Sequence, residues 1–110
     1  VAVLCSDARR PARAALVASA TQLKDLALNV LPTDFPVNQL VEPQAVTLSA
    51  VDGMPIPAQL FLPPNLKKGD KRPAVIFFHG GSRRQMLLGW NYGAYYHHAY
   101  ALNQYFAALG

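Results

Sequence analysis

The residues best suited to chemistry are His79, Gly80 and Gly81, which directly follow an apolar run at residues 74–78. A strand that is apolar at every position is typical of a sheet covered on both faces. In open α/β sheets, ligands bind at the loops that follow the carboxyl ends of such strands. Glycines there let backbone N–H groups approach a ligand and stabilise a developing oxyanion. The pattern predicts an anion-stabilising loop, with a simple strand-ending turn as the alternative.

Other residues that could bind a metal or react are better explained by structural roles. His97 and His98 are neighbours on a predicted helix and point roughly 100° apart, so one metal ion does not readily bind both. Cys5 is the single cysteine, which excludes an intrachain disulfide and a multi-cysteine zinc site. Its apolar neighbours predict a buried thiol. We therefore expect no metal and no cofactor.

The positive charge does not by itself indicate a nucleic-acid binder. The formal net charge is +4, but nine of the ten lysines and arginines form three short clusters, at residues 9–13, 67–72 and 83–84. The aromatic residues near the C-terminus have helical spacing without interleaved cations, which favours packing over base stacking. They are Trp90, Tyr92, Tyr95, Tyr96, Tyr100 and Tyr105. We expect a protein that binds no nucleic acid.

The chain also has no apolar run of the roughly 18 residues that a membrane span requires. We therefore expect a soluble protein without a membrane span. Cytoplasmic and secreted or periplasmic locations, and the oligomeric state, stay open.

Two alternating runs predict a β-hairpin in the middle of the chain. Apolar and polar residues alternate over 46–51 and again over 56–61, and Asp52 and Gly53 lie between them. Both residue types tolerate the positive φ of tight hairpin turns. Pro57 lacks a backbone N–H and so predicts that the second strand is an edge strand.

The remaining segments predict short strands, a linker and a helix. Residues 1–5 indicate a short buried strand, residues 13–19 a strand or the start of a helix, and residues 31–44 a proline-broken linker. Steps of four and three predict one apolar helix face within 92–109. It comprises Tyr95, Ala99, Leu102, Phe106 and Leu109.

Four features between residues 46 and 110 resemble, in order and spacing, the start of the catalytic domain of the prolyl oligopeptidase family of serine peptidases. They are the segment 49–53 with 56–64, the segment 72–81, Trp90, and the segment 103–110. The preceding part is similar to the last strands of the family's β-propeller. The resemblance implies an incomplete fragment of the α/β class. The end of a β-propeller and a linker would occupy residues 1–43, and the N-terminal portion of an α/β-hydrolase domain residues 44–110.

The resemblance further implies a Ser-Asp-His hydrolase that cleaves short peptides, with the nucleophile in a Gly-x-Ser-x-Gly elbow. All four serines of this chain lack that context: Ser6, Ser19, Ser49 and Ser82. The catalytic serine, aspartate and histidine are therefore expected outside this chain. What carries over is an oxyanion-hole donor, the backbone N–H of Gly80 or Gly81, with His79 orienting the loop.

Two other functions are compatible with the same residues. The first is an esterase that uses the same loop on acyl esters, and the second is a non-catalytic, hydrolase-like module that binds proteins. Arg83 and Arg84 follow the loop and are expected on its surface rather than on a peptide carboxylate.

We expect the 110-residue chain alone to show no peptidase activity, because it lacks the nucleophile, the acid and the base. The measurement is turnover of a fluorogenic peptide by the purified chain, with and without a serine-directed inhibitor. Turnover that the inhibitor abolishes would contradict the expectation.

Overall fold

The computed structural model describes residues 1–27, 30–81 and 86–110. It contains two small antiparallel sheets and one C-terminal helix. In chain order the elements are β1 (Ala2–Cys5), β2 (Arg13–Ser19), β3 (Gln22–Asp25), a 3-10 turn (Val37–Gln39), β4 (Gln44–Ser49), β5 (Pro55–Leu60) and α1 (Ala94–Leu109). In the described part of the chain, no helix is both long and apolar enough to cross a membrane.

The first sheet has the strand order β1-β2-β3. Ala2 lies opposite Leu16 on β2, and Ala15 lies opposite Asp25 on β3. Ala15 is completely buried. The structure thus selects the strand interpretation of residues 13–19 over the helical one, and adds β3, which the sequence pattern did not indicate.

The second sheet is the predicted hairpin of β4 and β5, in which Thr47 lies opposite Pro57. Its turn depends on Gly53, whose φ of +82° lies in the left-handed region that favours glycine. The carboxylate of Asp52 accepts the Met54 N–H at 3.0 Å and fixes the turn. Both strands of a two-stranded sheet are edge strands, so Pro57 is accommodated as predicted.

The core lies between α1, the loop after β1 and the segment around Trp90. The Trp90 N–H donates to the Asp7 carbonyl at 3.0 Å, and the Ser6 hydroxyl donates to the Trp90 carbonyl at 2.6 Å. The Trp90 ring packs against Tyr100 with centroids 5.1 Å apart and against Phe35 at 5.9 Å. These contacts attach the N-terminal sheet to the start of the helix.

The helix is confirmed, but its predicted packing face is wrong. Tyr95, Leu102 and Leu109 are at least half exposed, whereas Tyr100, Gln104 and Ala107 are buried. With about 3.6 residues per turn, the two sets lie on roughly opposite sides of α1. Polar contacts of Tyr100 and Gln104 select the buried side.

Gln104 is the buried centre of these contacts, with 1 % of its surface exposed. Its Nε2 donates to the Val41 carbonyl at 2.8 Å and its Oε1 accepts the Val41 N–H at 2.8 Å. Nε2 also lies 3.2 Å from the Ala8 carbonyl, which accepts the Tyr100 hydroxyl at 2.7 Å. Burial, opposed by the hydrogen bond from Gln104, raises the pKa of Tyr100, so this hydroxyl stays protonated and donates at neutral pH.

The predicted fold class is wrong. Every strand pairing in the described residues is antiparallel, so the chain is not the start of an α/β-hydrolase domain. That residues 1–43 end a β-propeller, whose blades are also antiparallel, stays a prediction. The apolar run 74–78 forms no strand, and Val75, Ile76 and Phe78 are 65 %, 76 % and 85 % exposed. The physical reason is that a buried strand exists only between neighbouring strands, and this run pairs with none of the described residues. The proposed boundary between residues 43 and 44 stays a prediction.

We expect Gln104→Met to lower the free energy of unfolding by about 2–4 kcal/mol, because the N–H and C=O of Val41 lose their partner in a partly buried site. Urea unfolding followed by the fluorescence of Trp90, the single tryptophan, measures the change. Gln44→Met is the matched control, since Gln44 is exposed and this change should stay within about 0.5 kcal/mol. Equal effects of the two substitutions would contradict the assigned role of Gln104.

Candidate functional site

The predicted site, residues 79–81, is an exposed loop that directly follows the unpaired apolar run. Gly81 has φ +85°, a conformation that side-chain-bearing residues rarely adopt. A Cβ added at Gly81 would meet nothing within 4 Å. Backbone conformation, rather than lack of space, is therefore what requires glycine at this position.

Tyr96 holds this loop on α1. The Gly80 N–H donates to the Tyr96 hydroxyl at 2.9 Å, and the same hydroxyl donates to the Gly80 carbonyl at 3.1 Å. Tyr96 lies in the first turn of α1, 16 positions along the chain from Gly80. Both backbone groups of one glycine are thus bound to a single side chain on a regular element.

His79 contacts the same carbonyl group. Its Nδ1 lies 3.3 Å from the Gly80 carbonyl oxygen, a distance at which an Nδ1–H donates a hydrogen bond. The Gly81 N–H, in contrast, makes no hydrogen bond to any other described residue. In this loop the Gly80 N–H is therefore hydrogen-bonded to Tyr96, whereas the Gly81 N–H binds no other described residue.

The loop supplies a donor but no second reactive group. In the described part of the chain, no serine, carboxylate or second histidine is bonded to residues 79–81. Ser82, Arg83 and Arg84 lie outside the described residues, so the surface position expected for the two arginines stays a prediction. The geometry is that of an isolated backbone donor, which stabilises negative charge on an oxygen without transferring a proton.

The residues set aside on sequence grounds have structural contacts. The His97 ring lies 5.6 Å from that of Trp90, and the His98 ring packs edge-on against His97. Across residues 1–27, 30–81 and 86–110, no three His, Cys, Asp or Glu side chains are grouped to hold a metal ion. Cys5 is a half-buried free thiol rather than a fully buried one.

An ion-pair network that sequence reasoning missed fixes the loop after β1. Asp7 Oδ2 lies 2.7 Å from Arg10 Nε and 3.4 Å from Arg13 Nη1, while Arg13 Nε lies 3.0 Å from Asp25. Burial raises the pKa of Asp7, but hydrogen bonds from the Arg9 and Arg10 backbones and the Arg10 side chain outweigh it, so the pKa lies below its ordinary value. Two carboxylates balance two guanidinium groups, which makes the network structural rather than an anion site.

The apolar run 74–78 is a second notable surface. No backbone N–H or C=O of these residues is hydrogen-bonded to another described residue. The start of the run also lines an open groove between the end of β5 and the C-terminal half of α1, together with Phe61, Leu66 and Phe106. Exposed apolar side chains beside unpaired backbone groups are typical of a strand that binds another strand.

Comparison of the chain with family models, with curated proteins and with solved structures found no match.

Proposed function

We propose that this chain is part of a serine peptidase that hydrolyses short peptides by a Ser-Asp-His mechanism. Within that enzyme, the loop at residues 79–81 supplies a backbone donor of the oxyanion hole. The nucleophile, the acid and the base belong to residues outside this chain. The observation that carries the proposal is the exposed glycine loop, with Gly81 at φ +85° and Gly80 bound to Tyr96.

The chemistry follows from where negative charge develops. When a serine oxygen attacks a peptide carbonyl, the carbonyl π electrons move onto its oxygen, which becomes negatively charged. A fixed N–H aimed at that oxygen binds the transition state more tightly than the substrate, and so raises kcat more than it lowers KM. A loop already bound to a helix needs little reorganisation at that moment. The order and spacing of the four sequence features between residues 46 and 110 supply the reason for choosing a peptidase.

In the full-length enzyme, we expect Gly81→Pro to lower kcat by about 10²–10³-fold while KM changes little, because proline removes the N–H and cannot adopt a positive φ. Steady-state turnover of a short fluorogenic peptide is the measurement. Turnover at the unaltered rate would show that the loop has no oxyanion role.

Gly69→Pro is the matched control for this substitution. Gly69 also has a positive φ, +95°, in an exposed loop with open space around it, so the backbone disturbance is comparable. Gly69→Pro should leave kcat unchanged. An equal loss of kcat in both variants would indicate loss of folding rather than loss of the donor.

A specific observation favours a second candidate function, a protein-binding module. Residues 74–78 combine backbone groups that bind no other described residue with exposed apolar side chains, which are the two requirements for binding an extended segment by strand addition. Directly before them lies an exposed basic cluster, in which Asp70 is the single acidic residue. It comprises Lys67, Lys68, Lys71 and Arg72. Charge complementarity therefore specifies an extended apolar segment of another protein that carries acidic residues at one end.

For this candidate, we expect a peptide of alternating valine and threonine with three terminal glutamates to bind the chain. The same peptide with three terminal lysines should bind at least about tenfold more weakly. Ile76→Lys should abolish binding, whereas Leu48→Lys, at an exposed apolar position of β4, should not. Fluorescence anisotropy of labelled peptides measures both effects.

Equal binding of the two peptides would contradict the acidic partner. Self-association of the chain that Ile76→Lys removes, with binding of neither peptide, would identify a second copy as the occupant and overturn this candidate.

A further inference from the structure

We infer that Tyr96 is a positioning residue of the glycine loop: its hydroxyl occupies the Gly80 N–H and leaves the Gly81 N–H as the donor to an oxyanion. The inference rests on the proposed function, and it selects between the two glycine donors that the sequence left open.

Both backbone polar groups of Gly80 are hydrogen-bonded to the Tyr96 hydroxyl. A phenolic hydroxyl has one proton to donate and lone pairs that accept. Tyr96 uses both capacities on Gly80, because it accepts the N–H at 2.9 Å and donates to the carbonyl at 3.1 Å. A substrate oxygen would have to displace this hydroxyl to reach the Gly80 N–H, and the Gly80 carbonyl would lose the hydrogen bond from Tyr96 as well. Gly80 is thus fixed rather than offered to a ligand.

Gly81, the next residue, is exposed and makes different contacts. Its N–H makes no hydrogen bond to another described residue, and the space where a Cβ would stand is open within 4 Å. An N–H that binds no other described residue, on an exposed glycine directly after a fixed one, meets the requirements of a preorganised oxyanion donor. The positive φ of Gly81 turns the backbone directly after Gly80.

The helix that carries Tyr96 is bound to other segments of the chain. Tyr96, Tyr100 and Gln104 are spaced i, i+4 and i+8, so they form one row along α1. The last two are buried and bind the backbone of the Ala8 and Val41 segments. The helix begins firmly too, because the Gly93 N–H donates to Asn91 Oδ1 at 2.7 Å and the His97 N–H to the Gly93 carbonyl at 2.8 Å. The side chain that holds the loop therefore projects from a well-anchored helix.

The direct test is amide hydrogen exchange in the chain labelled with ¹⁵N-glycine. We expect the Gly80 amide to exchange about tenfold more slowly than the Gly81 amide, and Tyr96→Phe to remove this difference. Tyr95→Phe is the matched control, because Tyr95 is the adjacent residue of the same helix and is 69 % exposed. It should leave both exchange rates unchanged. Protection of Gly81 rather than Gly80, or protection that persists in Tyr96→Phe, would overturn the inference.

The catalytic test uses the full-length enzyme. We expect Tyr96→Phe to lower kcat for a short peptide about tenfold with KM unchanged, and Tyr95→Phe to alter neither. Unchanged Trp90 fluorescence verifies that each variant is folded. If Gly81→Pro slows turnover and Tyr96→Phe does not, the positioning role fails while the proposed function stands. If Gly81→Pro has no effect, the proposed function fails, and the exchange data decide separately whether Tyr96 holds Gly80.

Discussion

The structure depends on one row of polar side chains along α1. Tyr96, Tyr100 and Gln104 each bind the backbone of a different distant segment, at Gly80, Ala8 and Val41. A buried amide without partners destabilises a fold strongly, whereas a fully hydrogen-bonded amide fixes one arrangement among many. Gln104 is hydrogen-bonded on both sides because Val41 presents an N–H and a C=O to it and the Ala8 carbonyl lies near its second amide hydrogen. The helix is therefore positioned by backbone acceptors on other segments, and its apolar stripe faces solvent.

Local sequence signals predicted local structure well. The hairpin of β4 and β5 follows from alternation and from Asp52-Gly53, and α1 follows from its spacing, because both depend on residues close together in the chain. The packing face of α1 could not be predicted, since its partners lie 63 and 92 positions away in the chain. These partners are backbone groups, which every residue has, so the residue types do not reveal them. The prediction of a buried strand at 74–78 failed for the same reason. The residue types fit such a strand, but its burial depends on neighbouring strands that the residue types do not specify. The glycine loop was located from its residue types, whereas its contact with Tyr96 carries no sequence signal.

The two candidate surfaces are continuous. The unpaired run 74–78 leads directly into the loop at 79–81, so a segment that pairs with the run would also restrict the backbone entering the loop. Tyr96 holds the loop from the helix side, at Gly80. Between the two constraints lies Gly81, whose positive φ turns the chain. The two candidate functions would therefore share one short stretch of backbone, residues 74–81.

Two backbone partners of Gln104 lie far before it in the chain, so its contacts form late in synthesis. Ala8 and Val41 precede Gln104 by 96 and 63 positions, so their backbone groups have no partner on α1 until that helix has been synthesised. Closing loops of this length costs chain entropy before any contact compensates for it. Until then the N-terminal sheet is held by its own ladders and by the ion pairs of Asp7 and Asp25. A nascent chain that stops short of Gln104 thus contains finished strands and an unfinished core.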